Sequence, residues 1–183
     1  MAILATLALT GCYEAFEEII TEDEASRISL VKDYKFYGYG LDENGEWETS
    51  EPDVYEIVNK LGKNVYVAQT DDPETGEREM RFMELEPNWY LLQMRTIGSP
   101  RHQLMLLRKE RQTYYVVVPH RFNDQDIDVW GSQQAFAQQL DMKLGGSGYG
   151  PYQLYGDPFN IQRFMHSLKT LPTRDIYKFQ LEE

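Results

Sequence analysis

HQLMLLRKERQTYYVVVP, residues 102–119, contains two runs, QLMLLR and YYVVV, that are apolar on both faces. A strand with one face in water alternates apolar and polar residues. A run without that alternation belongs to a strand covered on both sides. Valine and tyrosine favour strands, and Glu110-Arg111-Gln112 between the runs supplies a turn. The stretch therefore reads as two central antiparallel strands, 102–109 and 113–119, with sheet against one face and helix against the other.

The same pattern extends toward the N-terminus. Residues 30–40, 54–61, 64–70, 78–85 and 89–95 are short runs rich in Val, Tyr, Phe and Leu. Between them lie Asn44-Gly45, Leu61-Gly62-Lys63-Asn64, Asp72-Pro73-Glu74-Thr75-Gly76 and Glu86-Pro87-Asn88, and Gly98-Ser99-Pro100 leads into residue 102. Gly and Asn tolerate the positive φ that tight turns demand, and Pro presets φ for them. Hairpin-linked strands at this spacing predict a meander.

Toward the C-terminus the periodicity changes from two to 3.6. Ser132 reads as the cap of a helix over 133–144, with Phe136, Ala137, Leu140 and Leu144 on one stripe and Gly145 as its stop. Asp157-Pro158 is a cap followed by proline at the first helical position, opening a helix over 158–169 with Ile161, Phe164, Met165 and Leu168 as its stripe. YQLY (152–155) and IYKFQL (176–181) read as further strands. The fold class is α+β: a mainly antiparallel sheet of about seven to nine strands, sandwich- or barrel-like, with two helices in the C-terminal half.

At 183 residues with 42% apolar content, the chain fits one domain with a substantial core. The net charge of −12 disfavours nucleic acid as a partner. It is unevenly spread: residues 14–53 hold 13 acids against 3 bases, and the remainder nearly balances. The segment 12–28 is accordingly expected to be an acidic tether, and 29–183 the folded domain.

Residues 1–11, MAILATLALTG, bear no charge and precede Cys12, the single cysteine. Leu9-Thr10-Gly11-Cys12 resembles the lipobox of bacterial lipoproteins. The resemblance implies that 1–11 is a signal remnant and that Cys12 is acylated and becomes the N-terminus. Tyr13 in place of Asp implies sorting to the outer membrane. The expected partner is then a membrane, reached through a lipid anchor on the periplasmic face.

Sites are sparse. Asp124, Asp126 and Asp128 have the spacing that opens a calcium loop, but Val129 stands where glycine is needed and Ala135 where the bidentate carboxylate belongs, so no metal is expected. GGSGYGP (145–151) lacks the lysine of a phosphate cradle; with Tyr149, Tyr152 and Tyr155 it suggests an aromatic flap. His102, His120 and His166 show no ligand spacing. Between residues 95 and 121, Arg95, Arg101, Arg108, Lys109, Arg111 and Arg121 face a single acid, Glu110, which suggests either edge protection or a surface for an acidic protein partner. No catalytic motif or cofactor signature occurs. The expectation is a lipid-anchored, non-catalytic binding or interaction module. The alternatives are a barrel-like carrier of a small apolar ligand and, third, a hydrolase whose carboxylates meet only in space.

Overall fold

The computed structural model describes residues 13–26, 28, 35–41, 45–48, 52–62, 64–70, 76–119, 129–146 and 151–181. The strands are β1 (Tyr13–Ala15), β2 (Lys35–Gly40), β3 (Asp53–Leu61), β4 (Val65–Thr70), β5 (Arg78–Glu86), β6 (Trp89–Thr96), β7 (His102–Glu110), β8 (Thr113–Pro119), β9 (Lys143–Gly145), β10 (Tyr152–Tyr155) and β11 (Thr173–Leu181). The helices are α1 (Val129–Gln139) and α2 (Pro158–Ser167), the latter followed by a 3₁₀ turn, Leu168–Thr170.

In the order β6-β5-β4-β3-β2-β11-β8-β7, eight strands close on themselves through the β6–β7 pairing. Closure removes the free edges that would otherwise template aggregation. The other three strands branch from β7, which divides one edge between two neighbours: Leu106–Glu110 pair with β8, and His102–Leu104 pair with β1. β10 then pairs with β1 in parallel, and β9 with β10 antiparallel. The sheet thus forks where β8 leaves β7.

The alternation of the strands sorts side chains into two cores. Phe36, Ile57, Tyr66, Met80, Phe82, Leu92, Met94, Met105, Leu107, Tyr114, Val116, Tyr177 and Phe179 point into the barrel and are buried. Outside, Leu91, Leu104 and Leu106 belong to a second cluster with Ile161, Phe164, Met165 and Leu168. Of the two doubly covered strands expected over 102–119, β7 has this arrangement, barrel interior on one side and the α2 cluster on the other. β8 instead turns the half-exposed Tyr115 outward. Gly38 makes room inside, because a Cβ there would stand 1.9 Å from the Tyr177 hydroxyl oxygen.

α2 starts as its residues dictate, with the Asp157 side chain accepting from the Phe159 N–H at 2.9 Å and Pro158 opening the first turn. α1 does not match the expected span of 133–144. It begins at Val129 and ends at Gln139. Asp141 adopts a left-handed φ of 52°, and the Met142 N–H returns to the Ala137 carbonyl at 2.8 Å, so the chain closes its own C-terminus before Gly145. Gly145 lies in β9 instead.

The expected tether is also corrected. Tyr13–Ala15 is a strand, and Ile19 and Ile20 are completely buried among the outer cluster. Their N–H groups both donate to the Gln93 side-chain oxygen, at 2.7 and 2.9 Å. Their carbonyls accept from Gln162 at 2.7 Å and Arg81 at 2.8 Å. The acids that suggested solvation, Glu17, Glu18, Glu22, Asp23 and Glu24, are on the exposed side of this docked segment.

The segment then enters the barrel wall. β4 and β5 pair at only three positions, Tyr66↔Met80, Val67↔Glu79 and Ala68↔Arg78. Beyond them, the Ser26 N–H donates to the Phe82 carbonyl at 2.6 Å, and the Glu84 N–H to the Ser26 hydroxyl at 2.8 Å. From β4, the Tyr66 hydroxyl donates to the Ile28 carbonyl at 2.6 Å, and Ile28 itself joins the interior core. Ser26 thereby satisfies two backbone groups of β5 beyond the point where the strands diverge.

Candidate functional site

A closed eight-stranded barrel can hold one small ligand in its interior or fill that space with side chains. Here many large side chains point into it and are buried. Phe36 stacks on Tyr55 with centroids 4.9 Å apart, and Phe179 stands edge-on to Phe36, Tyr55 and Tyr177 at 5.5, 5.7 and 5.0 Å. The Tyr177 hydroxyl donates to Asp53 at 2.5 Å. Burial first, then the neighbouring Tyr55 and Asp53, push its pKa far above the ordinary tyrosine range. Burial likewise raises Tyr114.

The outer face carries the opposite arrangement, a half-exposed row of rings and cations. Register places Tyr39 of β2 beside Lys178 of β11, Lys178 beside Tyr115 of β8, Tyr115 beside Arg108 of β7, and Arg108 beside Trp89 of β6. Four steps between strands make this row ~19 Å long. The Lys178 ammonium lies 5.1 Å from the Tyr39 ring centre and 4.9 Å from that of Trp47. Trp47 is held over the row by its bridge to Leu41 and by the Glu48 N–H donating to the Gly40 carbonyl at 2.9 Å. It also stands 6.1 Å from Tyr115, whose ring receives the Arg108 guanidinium at 5.0 Å.

The bases singled out by local charge separate into two groups. Arg95 and Arg101 lie toward the β6–β7 turn. Arg95 pairs with Glu79 at 2.7 Å, and Arg101 reaches Glu14 at 3.5 Å and covers Phe16 at 5.8 Å. Arg108, Lys109 and Arg111 lie at the opposite end of β7. Arg108 pairs with Asp175 at 2.8 Å and with Glu110, Lys109 covers Tyr114 at 5.2 Å, and Arg111 occupies the β7–β8 turn with a φ of 56°. Arg121 lies outside the described residues, as do Cys12, His120, Tyr149, Asp124, Asp126 and Asp128. The expected flap is corrected for its other two tyrosines. Tyr152 and Tyr155 belong to β10, paired to β1 and β9, with Tyr152 buried and Tyr155 exposed.

Beneath the docked N-terminal segment, Glu18, Arg81, Glu79 and Arg95 form a chain of ion pairs at 2.6, 2.7 and 2.7 Å. Burial acts to raise the Glu79 carboxyl, but hydrogen bonding from Arg95 and the charge of Arg81 outweigh it, leaving the pKa below the usual value. His102 lies nearby, its Nδ1 buried without a hydrogen-bond partner, and burial and Arg95 together lower its pKa. The arrangement fastens a segment to the barrel.

Tyr39, Trp47, Tyr115, Lys178 and Trp89 were not flagged by motif or charge. Their signal is positional: Tyr39, Tyr115 and Trp89 occupy outward strand positions where a polar residue is the norm, and Trp47 lies in the connection after β2. The register that aligns β2 with β11 joins residues some 140 apart and is not written in local pattern. No protein family, curated protein or solved structure matches the chain.

Proposed function

We propose that the chain is a non-catalytic interaction module of the bacterial envelope, anchored by acyl groups on Cys12 at the periplasmic face of the outer membrane. Its working surface is the outer row Tyr39–Lys178–Tyr115–Arg108–Trp89. One contrast supports this reading: the rings that line the barrel interior are packed against one another, while the outer face keeps large rings half in water. Exposed aromatics interleaved with cations supply area and orientation at low entropic cost, the usual means of holding a partner.

Intact mass of the protein from its native host tests the anchor: a chain beginning at Cys12 and carrying acyl mass is expected, and an unmodified, uncleaved chain overturns it. A photo-crosslinking side chain at position 115 or 89 tests the surface. Discrete adducts are expected there and not from Ile97, an exposed position at the other end of β6; equal yields from all three overturn it.

A second reading, the carrier of a small apolar ligand, draws on the closed barrel and on the short β4–β5 seam through which Ile28 enters. Native mass spectrometry decides: one stoichiometric apolar molecule retained from the host favours the carrier.

A further inference from the structure

We infer that Trp47, Tyr39 and Tyr115 form a cage for an organic cation, filled here by Lys178 and able to exchange that lysine for the quaternary ammonium group of a ligand. The inference rests on reading the outer face as the working surface and names the chemistry that surface recognises.

Two rings, Tyr39 and Trp47, meet one ammonium, and Tyr115, whose ring receives Arg108, stands beside them. Tyr39 and Tyr115 flank Lys178 directly in the sheet, and Trp47 covers it, with the ammonium 4.9 and 5.1 Å from the Trp47 and Tyr39 centres. Trp47 and Tyr115 lie 6.1 Å apart and tilted by 55°, so Tyr115 supports the Trp47 ring from the side. The negative face of each ring attracts a cation, and aromatic cages are a recurrent solution for quaternary ammonium.

The lysine is a poor permanent occupant. Its ammonium is compact and strongly hydrated, and it sits on a flexible four-carbon stem that can swing into water. Among the described residues no carboxylate pairs with it, so leaving the rings breaks no ion pair. A quaternary ammonium gives up less hydration on meeting the rings and presents more surface to them. The exposed Glu46 and Glu48, on either side of Trp47 in the chain, favour that charge. Such a field concentrates cations near Trp47.

The test titrates choline, tetramethylammonium and 3,3-dimethyl-1-butanol, the uncharged isostere of choline, into the folded protein. The ring signals of Tyr39 and Tyr115 and the indole signal of Trp47 are followed by NMR. Both cations are expected to give saturable shifts in the native chain and to bind at least tenfold more tightly to Lys178→Ala, where the cage is vacated; the isostere is expected to give none. Trp47→Ala, and independently Tyr39→Ala, are expected to abolish the shifts while circular dichroism shows the fold retained. Equal affinity in Lys178→Ala and the native chain, or shifts from the isostere matching those from choline, overturns the inference. If cations fail to bind while crosslinks from position 115 persist, the cage falls and the working surface stands. If cations bind as expected without crosslinks, the cage stands and the larger partner falls.

Discussion

The Tyr13 hydroxyl donates to the Gln133 side-chain oxygen at 2.7 Å, joining the first described residue to α1 across 120 positions of sequence. Both residues are buried. Parallel pairing of β1 with β10 and the edge-on contact of Tyr13 with Phe164, 5.7 Å between centroids, fix the same residue from two further sides. The N-terminal segment is therefore part of the core.

Removing the acceptor from that bond leaves a buried hydroxyl without this partner. Gln133→Ala is expected to cost about 1–3 kcal/mol in urea unfolding, and Tyr13→Phe a comparable amount. Deleting 13–26 is expected to be far worse, because it exposes Leu91, Leu104 and Leu106 and strips the seam beside β5. A truncated chain with native stability would return the segment to the role of tether.

Glu79 and Arg81 make a pH dependence of definite sign. The folded Glu79 pKa lies below the ordinary 4.5, so its contribution is complete above that value and is lost as pH falls through the lower folded value. His102 acts in the same direction from a higher window. Its folded pKa lies below 6.5, so the unfolded chain takes the proton first, and stability declines as pH drops beneath 6.5. Replacing His102 by Gln is expected to flatten the stability profile just below 6.5 and leave the acid limb near 4.5 in place.

Phe164 is fully buried between α2 and the strands beneath it. Phe164→Ala is expected to cost ~3–5 kcal/mol in the same assay. A loss under ~1 kcal/mol would mean that the outer cluster closes over the space.

Gly38 offers a paired test of the interior. Gly38→Ala drives a Cβ into the Tyr177 hydroxyl and is expected to cost ~1–3 kcal/mol. Tyr177→Phe in the same chain removes the closest atom and is expected to restore part of that loss. Equal costs with and without the hydroxyl would show that the ring carbons, next nearest at 2.5 Å, set the limit.

The barrel strands were legible because each obeys a local rule. Residues 54–61, 78–85, 89–95, 102–109 and 113–119 were bounded by turn residues, and the structure extends or shifts their ends by a residue or so. The Asp157-Pro158 start of α2 was equally local. α1 was misplaced because its stop is a left-handed aspartate, a conformation that glycine advertises and aspartate does not. β1 and β9 are three residues each and exist only because a neighbouring edge is open to them. The charge-based surface separated because β7 carries Arg101 and Arg108 toward opposite ends, a distance invisible in a count of bases. The aromatic row depends on strand register over long separations, which no local period encodes.

The fork in the sheet has a mechanical consequence for an acylated Cys12. Consecutive Cα atoms are 3.8 Å apart, so the lipid-bearing residue would adjoin Tyr13, which is already locked in β1. No leash would remain between bilayer and barrel. The body would ride on the membrane like a bracket, its roll and tilt set by β1 and not averaged by a swinging linker. Opposite Tyr13 is Leu104, and Arg108 lies four residues further along β7, so the aromatic row would hold a constant offset of ~13 Å along that strand from the attachment point. A binding face carried at constant height selects partners by where they stand above the lipid as well as by their chemistry.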